Sequence, residues 1–101
     1  MKNILLVCNA GMSTSMLVQK MQAAAKEQGI EATIQAKSVT DAANEIDKAD
    51  VLLLGPQVGS QKSEMEKLAD GRIPVEVIDM RDYGTMNGKK VLAHALELIG
   101  E

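Results

Sequence analysis

The sequence predicts an α/β fold, a single open four-stranded parallel sheet with helices on both faces. Short apolar runs alternate four times with segments whose apolar residues recur at helical spacing. Two of the runs, residues 4–7 (Ile-Leu-Leu-Val) and 51–54 (Val-Leu-Leu-Leu), are apolar throughout. Such runs are typical of parallel strands that are buried on both faces. We therefore place strands 1 and 3 in the centre of the sheet.

The other two strands are predicted at the edges of the sheet. Residues 30–36 alternate apolar and polar side chains, and residues 75–78 carry Glu76 within an otherwise apolar run. Strands with polar or charged positions tolerate the partly exposed edge. With right-handed crossovers this placement gives the strand order 2-1-3-4. In that order a crevice opens at the carboxyl ends of strands 1 and 3, where ligands of such sheets usually bind.

The first and last helices are predicted from apolar stripes that end at Gly29 and Gly100. The stripes consist of Met12, Met16, Leu17, Met21, Ala24 and Ala25 in the first helix, and of Val91, Leu92, Ala95, Leu96 and Ile99 in the last. Ser38 and Ser63 each begin a capping-box pattern, which predicts two shorter helices between the strands. Residues 79–88 have no clear periodicity and are predicted as a loop.

The connection between the first strand and the first helix is the strongest functional signal. It reads Cys-Asn-Ala-Gly-Met-Ser-Thr-Ser over residues 8–15. Small residues let the backbone approach a ligand, and the helix that follows directs unpaired N–H groups and its positive dipole end toward that ligand. We predict a P-loop-like phosphate-binding cradle formed by Asn9, Ala10, Gly11, Met12, Ser13, Thr14 and Ser15.

Cys8 is the first residue of this loop, so its sulfur is predicted at the centre of the ring of amides. Groups that bind a phosphate also stabilise a thiolate. A thiolate beside an oxyanion cradle suits phosphoryl transfer through a phosphocysteine. The alternative is an inert buried cysteine. The hydroxyls of Ser13, Thr14 and Ser15 likewise have the ordinary alternative of capping the helix.

Further candidates follow the third and fourth strands on the same edge of the sheet. Gln57, Asp79 and Tyr83 are candidate contacts for the phosphoryl group or for a protein partner, because loops at this edge usually carry function. The alternative is a solvated loop in which Asp79 only forms a turn. Met12 and Met16 are expected in the core, although exposed methionines at the loop would suit a surface that binds more than one partner.

Composition argues against several classes of function. The net charge is −3 and Tyr83 is the sole aromatic residue, so we expect no nucleic-acid binding. The single cysteine and the lack of a signal-peptide pattern predict a cytoplasmic protein. No metal-ligand spacing occurs, and we predict no metal or other cofactor. We expect one domain over residues 1–101, and the short, partly polar edge strands favour a monomer.

Several stretches resemble the enzyme IIB component of the bacterial sugar phosphotransferase system (PTS), lactose/cellobiose/chitobiose family. The similarity covers residues 8–18 and 20–21, residues 50–57, and residues 74–79 with Tyr83 and Gly84. It implies a relay in which Cys8 accepts a phosphoryl group from a phosphohistidine on enzyme IIA. Cys8 would then pass the group to a sugar bound by the membrane-embedded enzyme IIC, through which the chain would associate with the membrane. The Ala-Gly-Met-Ser-Thr-Ser loop is similar to cellobiose and diacetylchitobiose members, so we expect one of these sugars.

Two other functions remain as alternatives. Low-molecular-weight protein tyrosine phosphatases also carry a cysteine loop after the first strand of a similar sheet. Their loop has an arginine six residues after the cysteine, where this chain has Thr14. Because a guanidinium grips a phosphoryl group in a bidentate manner, its absence predicts weak or no phosphatase activity. The third function is a non-catalytic regulatory domain that only senses an anion, which would not require Cys8 as a nucleophile.

Overall fold

The computed structural model describes residues 2–8 and 12–100. Four parallel strands form one sheet in the order β2-β1-β3-β4, which confirms the predicted topology. The strands are β1 (Lys2–Val7), β2 (Ala32–Lys37), β3 (Val51–Leu54) and β4 (Val75–Val77). The α-helices are α1 (Met12–Glu27), α2 (Val39–Glu45), α3 (Lys62–Ala69), α4 (Met80–Gly84) and α5 (Gly88–Ile99). Two 3₁₀ helices cover Ile46–Lys48 and Pro56–Gln61.

The central strands are buried on both faces because alternate side chains enter two separate cores. In β1, Ile4 and Leu6 pack in the core that contains α1 and α5. The intervening Leu5 and Val7 pack in the core that contains α2 and α3. All four side chains are at most 3% exposed. Residues 4–7 of β1 are all apolar because helices cover both faces of the sheet.

Helix α1 packs on the sheet through Leu17, Met21, Ala24 and Ala25 of the predicted stripe, but not through Met16. Leu17 and Met21 are fully buried, whereas Met16 is 55% exposed. The expectation that Met16 belongs to the core is wrong, because the adjacent Leu17 takes the position that faces the sheet and successive residues diverge by about 100° around a helix. The side chain of Met12 lies outside the described residues.

Two element boundaries differ from the prediction for local reasons. Strand β2 begins at Ala32, because the amide of Ile30 donates to the carbonyl of Ala25 and so closes the end of α1. The prediction of a loop over residues 79–88 is wrong, since these residues contain α4 and the start of α5. The Asp79 carboxylate accepts from the amides of Arg81 and Asp82 and begins α4. A helix of five residues is too short to show a period in the sequence.

Only one of the two predicted serine caps is present. The Ser38 hydroxyl accepts from the amide of Asp41 at 3.2 Å and begins α2, as predicted. Helix α3 instead begins at Lys62, with Gln61 as a cap residue that makes no side-chain bond. The chain reaches α3 directly from the preceding 3₁₀ helix, so Ser63 lies inside a helical stretch and has no capping position.

We predict that Ser38→Ala lowers the free energy of unfolding by about 1 kcal/mol, because it leaves an amide at the start of α2 without its acceptor. Ser63→Ala is the matched control, and it should change the stability by less than about 0.5 kcal/mol, since alanine favours a helix interior. Urea unfolding of the three proteins measures both effects. Equal losses in the two variants would contradict the assignment of the cap.

Candidate functional site

The candidate site lies where the strands end at one edge of the sheet. The amide of Cys8 donates to the carbonyl of Lys37 at 3.1 Å, and the amide of Gly55 donates to the carbonyl of Val7 at 2.8 Å. The amide of Ile78 donates to the carbonyl of Leu54, also at 2.8 Å. The ladder therefore continues one residue beyond the strands, and the chains leave the sheet side by side. With strands about 4.8 Å apart, the backbone of Ile78 lies roughly 10 Å from that of Cys8.

Cys8 follows β1 directly, and its side chain is 6% exposed. Helix α1 begins at Met12, so only residues 9–11 separate the thiol from the amino end of a 16-residue helix. The amino end of a helix carries unpaired amides and the positive end of the helix dipole, which favour a nearby anion. The first turn of α1 carries no acidic residue that would repel an anion.

Most of the predicted cradle lies outside the described residues. This holds for Asn9, Ala10 and Gly11 entirely, and for the side chains of Met12, Ser13 and Thr14. Ser15 is described, and its side chain is exposed in the first turn of α1. The contacts of this segment with a phosphoryl group therefore remain a prediction.

The three candidates beyond the loop have different positions. Gln57 lies in the 3₁₀ helix that follows β3, and its side chain is outside the described residues. Asp79 is exposed at the edge, but one oxygen of its carboxylate caps α4, which fixes the side chain over that helix. Tyr83 is 8% exposed and packs in the core beside α1 and α5. A ring buried to this degree offers little surface to a partner, so we do not retain Tyr83 as a partner contact.

The structure adds exposed residues that the sequence reasoning missed. Met80, the first residue of α4, is 76% exposed. Together with Asp79 and Arg81 it lines an open cavity of about 400 Å³. Met80 was not identified because an apolar residue between Ile78 and Tyr83, which are both buried, is typical of the core in a sequence pattern. In the structure, Met80 instead begins α4 directly after the Asp79 cap, and its side chain is exposed.

Charged side chains of both signs lie along the edge of the sheet that carries Cys8. Lys37 ends β2 in register with Val7, and Asp79 and Arg81 are both exposed after β4. In the ranges that the structure covers, no group of three His, Cys, Asp or Glu side chains could hold a metal ion. A thiol that precedes a helix amino end is an arrangement that can accept a phosphoryl group and stabilise part of its charge.

No helix among the described residues is both long and apolar enough to cross a lipid bilayer.

Comparisons with known proteins agree on one family. The family model for the PTS lactose/cellobiose-specific IIB subunit matches residues 3–94. The chain is 52% identical over 104 residues to the galactose-specific EIIB component of Lactococcus lactis subsp. cremoris, covering 97% of this chain and 96% of that protein. It is 51% identical over 104 residues to the cellobiose-specific EIIB component of Lactococcus lactis subsp. lactis, with the same coverage.

A solved structure supports the same assignment. The solution structure of the cellobiose-specific IIB component from Borrelia burgdorferi superposes with a TM-score of 0.81 at 48% identity, covering 97% of this chain and 91% of that one. The resemblance inferred from the loop residues is thus confirmed over nearly the whole chain. The chain belongs to the lactose/cellobiose-specific IIB family, and it is a phosphotransferase that works with enzymes IIA and IIC in sugar uptake by the PTS.

Proposed function

We propose that Cys8 carries the phosphoryl group between the two partner enzymes. It accepts the group from a phosphohistidine on enzyme IIA and passes it to a sugar presented by enzyme IIC. One observation carries this proposal. The sole cysteine of the chain follows the buried end of β1 and precedes the amino end of α1, at the edge where the loops of β3 and β4 also emerge.

The transfer has two half-reactions. In the first, the Cys8 thiolate attacks phosphorus, the bond from phosphorus to the imidazole nitrogen breaks, and that nitrogen takes up a proton. In the second, a sugar hydroxyl attacks phosphorus, the sulfur–phosphorus bond breaks with return of the thiolate, and the hydroxyl proton is released. The amino end of α1 stabilises negative charge on sulfur and on the phosphoryl oxygens in both steps.

Thr14 favours a carrier over a phosphatase. An arginine at that position would hold the phosphoryl group by two charge-assisted hydrogen bonds and stabilise its attack by water. Amides and hydroxyls hold the group more weakly and leave it transferable. We infer that the absence of arginine protects the phosphocysteine from hydrolysis between the two encounters. The hydrolase remains the second candidate function because the cysteine-loop arrangement is common to both.

The sugar is proposed from loop similarity to be cellobiose or diacetylchitobiose. Names of relatives support the first of these in part: one EIIB relative and the solved structure are cellobiose-specific, whereas an equally similar EIIB relative is galactose-specific. Near-equal identity to proteins named for different sugars fits selection of the sugar by enzyme IIC.

We also propose that the chain forms one domain over residues 1–101, that it is monomeric, and that it is located in the cytoplasm.

Two exposed methionines at the site are proposed to contact enzyme IIA. Met16 lies in the second turn of α1 and Met80 begins α4, so both flank the edge at which Cys8 lies. Methionine side chains adapt to different apolar surfaces, which suits a protein that meets its partners in turn. The interface should be of the modest size that is typical of transient complexes.

We predict that wild-type protein gains the mass of one phosphoryl group when incubated with phosphoenolpyruvate, the general PTS proteins and enzyme IIA. Cys8→Ser should not, because a serine hydroxyl at this position is far less nucleophilic than a thiolate. Intact-protein mass spectrometry measures the gain, and unchanged phosphorylation of enzyme IIA is the control. A phosphoryl adduct that persists in Cys8→Ser would contradict the proposal.

Turnover of an aryl phosphate by the wild-type protein, without an adduct donated by enzyme IIA, would instead establish the hydrolase. If neither the adduct nor turnover occurs, the anion-sensing alternative takes its place.

A further prediction concerns Thr14. Thr14→Arg should shorten the lifetime of the phosphocysteine by about tenfold or more, since a guanidinium stabilises the charge that develops during hydrolysis. Thr14→Gln is the matched control, because it adds length without charge, and it should leave the lifetime within about twofold. Mass spectrometry over a time course measures the decay. Equal lifetimes in all three proteins would refute the argument from the missing arginine.

Another prediction concerns Met16 and Met80 as contacts for enzyme IIA. Met16→Ser and Met80→Ser should each raise the KM for phosphorylated enzyme IIA by about threefold to tenfold with little change in kcat, because they remove apolar contact area without touching the reacting atoms. Leu68→Ser is the control. Leu68 is 42% exposed but lies near the end of α3, which packs on the face of the sheet opposite α1. A similar rise in KM for Leu68→Ser would argue against a specific surface.

A further inference from the structure

Gly88 makes an unusually close contact between two helices. It is the first residue of α5 and is buried against the middle of α1. A Cβ atom on Gly88 would lie 2.5 Å from the carbonyl carbon of Lys20 and 2.7 Å from the backbone nitrogen of Met21. These atoms belong to the main chain of α1 and cannot move aside as a flexible side chain can. A side chain at position 88 would therefore push α1 itself.

Helix α1 has little freedom to absorb such a push near the contact. Leu17 and Met21 are fully buried in the core on its sheet side. Val91 and Leu92 of α5 belong to the same core, so the two helices are packed together as well as on the sheet. A hydrogen-bonded helix moves largely as a rod. A displacement at Lys20 would therefore reach its amino end, about 12 Å away along the axis.

The turn that presents Gly88 is itself fixed by hydrogen bonds. The Asn87 side chain accepts from the amide of Lys90 at 3.2 Å, and its backbone amide donates to Asp82 at 2.9 Å. Met86 has a φ of +53° and donates to the carbonyl of Tyr83 at 3.1 Å. These bonds connect Gly88 to α4, which begins at the edge of the sheet that carries Cys8.

We propose that Gly88 is a positioning residue for the reaction at Cys8. By letting the backbones of α1 and α5 touch, it sets how far the amino end of α1 lies from the sulfur and from the phosphoryl group. This inference rests on the proposed function, in which that helix end stabilises the charge being transferred. The residue acts through α1 and need not touch the phosphoryl group.

The test compares two glycine-to-alanine variants in the same segment. Gly88→Ala introduces the contact with Lys20, whereas a Cβ on Gly84, at the end of α4, meets no atom within 4 Å. With phosphorylated enzyme IIA as donor, Gly88→Ala should lower kcat per folded molecule by about tenfold or more while KM stays within about twofold. Gly84→Ala should leave both constants within about twofold. Circular dichroism and urea unfolding give the folded fraction of each protein.

A second measurement does not depend on phosphoryl transfer. In ¹⁵N–¹H correlation spectra, the amides of residues 12–15 should shift in Gly88→Ala but not in Gly84→Ala. If wild-type protein accepts no phosphoryl group, the proposed function fails, and these spectra still decide whether Gly88 positions the helix end. Should Gly88→Ala not fold, Asn87→Ala, which only loosens the turn, is tested by the same two readouts and should show smaller changes in the same direction.

Two results would overturn the inference. The first is a folded Gly88→Ala protein whose kcat per folded molecule equals that of wild type. The second is a set of unshifted amides in residues 12–15, which would mean that the helix end stays in place and that the contact serves stability alone.

Discussion

The burial of β1 on both faces is the constraint on which the rest of the molecule depends. Each of its last four side chains enters one of two cores and is at most 3% exposed. A shift of register by one residue would exchange the two sets of side chains, so the strand has a single position in the sheet. The residue that follows it, Cys8, thereby acquires a fixed place at the edge. The position of Cys8 therefore depends on the packing of the residues that precede it in β1.

The same constraint limits the distance between Cys8 and a helix end. Only residues 9–11 connect the strand to α1, and both neighbouring elements are held by buried side chains. Three linking residues limit how far Cys8 can lie from the first turn of α1. Under the proposed function, charge stabilisation that is built into the fold would need no rearrangement when each partner arrives.

Much of the fold and the location of the site could be predicted from sequence, and the failures have a common physical cause. Continuous apolar runs at residues 4–7 and 51–54 predict the strand order, and the small residues after Cys8 predict a phosphate-binding loop. These are local signals. Ser63 has the same local pattern as Ser38, but only the path of the incoming chain decides which one caps a helix. The exposure of Met16 and the burial of Tyr83 differ from the expectation, because exposure depends on neighbours that the sequence does not display.

Gly88 illustrates the limit of sequence reasoning most clearly. In the sequence it follows Asn87 and is typical of a turn, so its φ would be the expected reason for glycine. Yet Gly88 is the first residue of a helix, and its importance comes from the main chain of α1, which lies 68 positions earlier at Lys20. A site that depends on the placement of a helix end can thus be sensitive to a residue far from the nucleophile in sequence. The residues that determine the reaction rate need not be those that touch the phosphoryl group, since transfer is steeply sensitive to sub-ångström positioning.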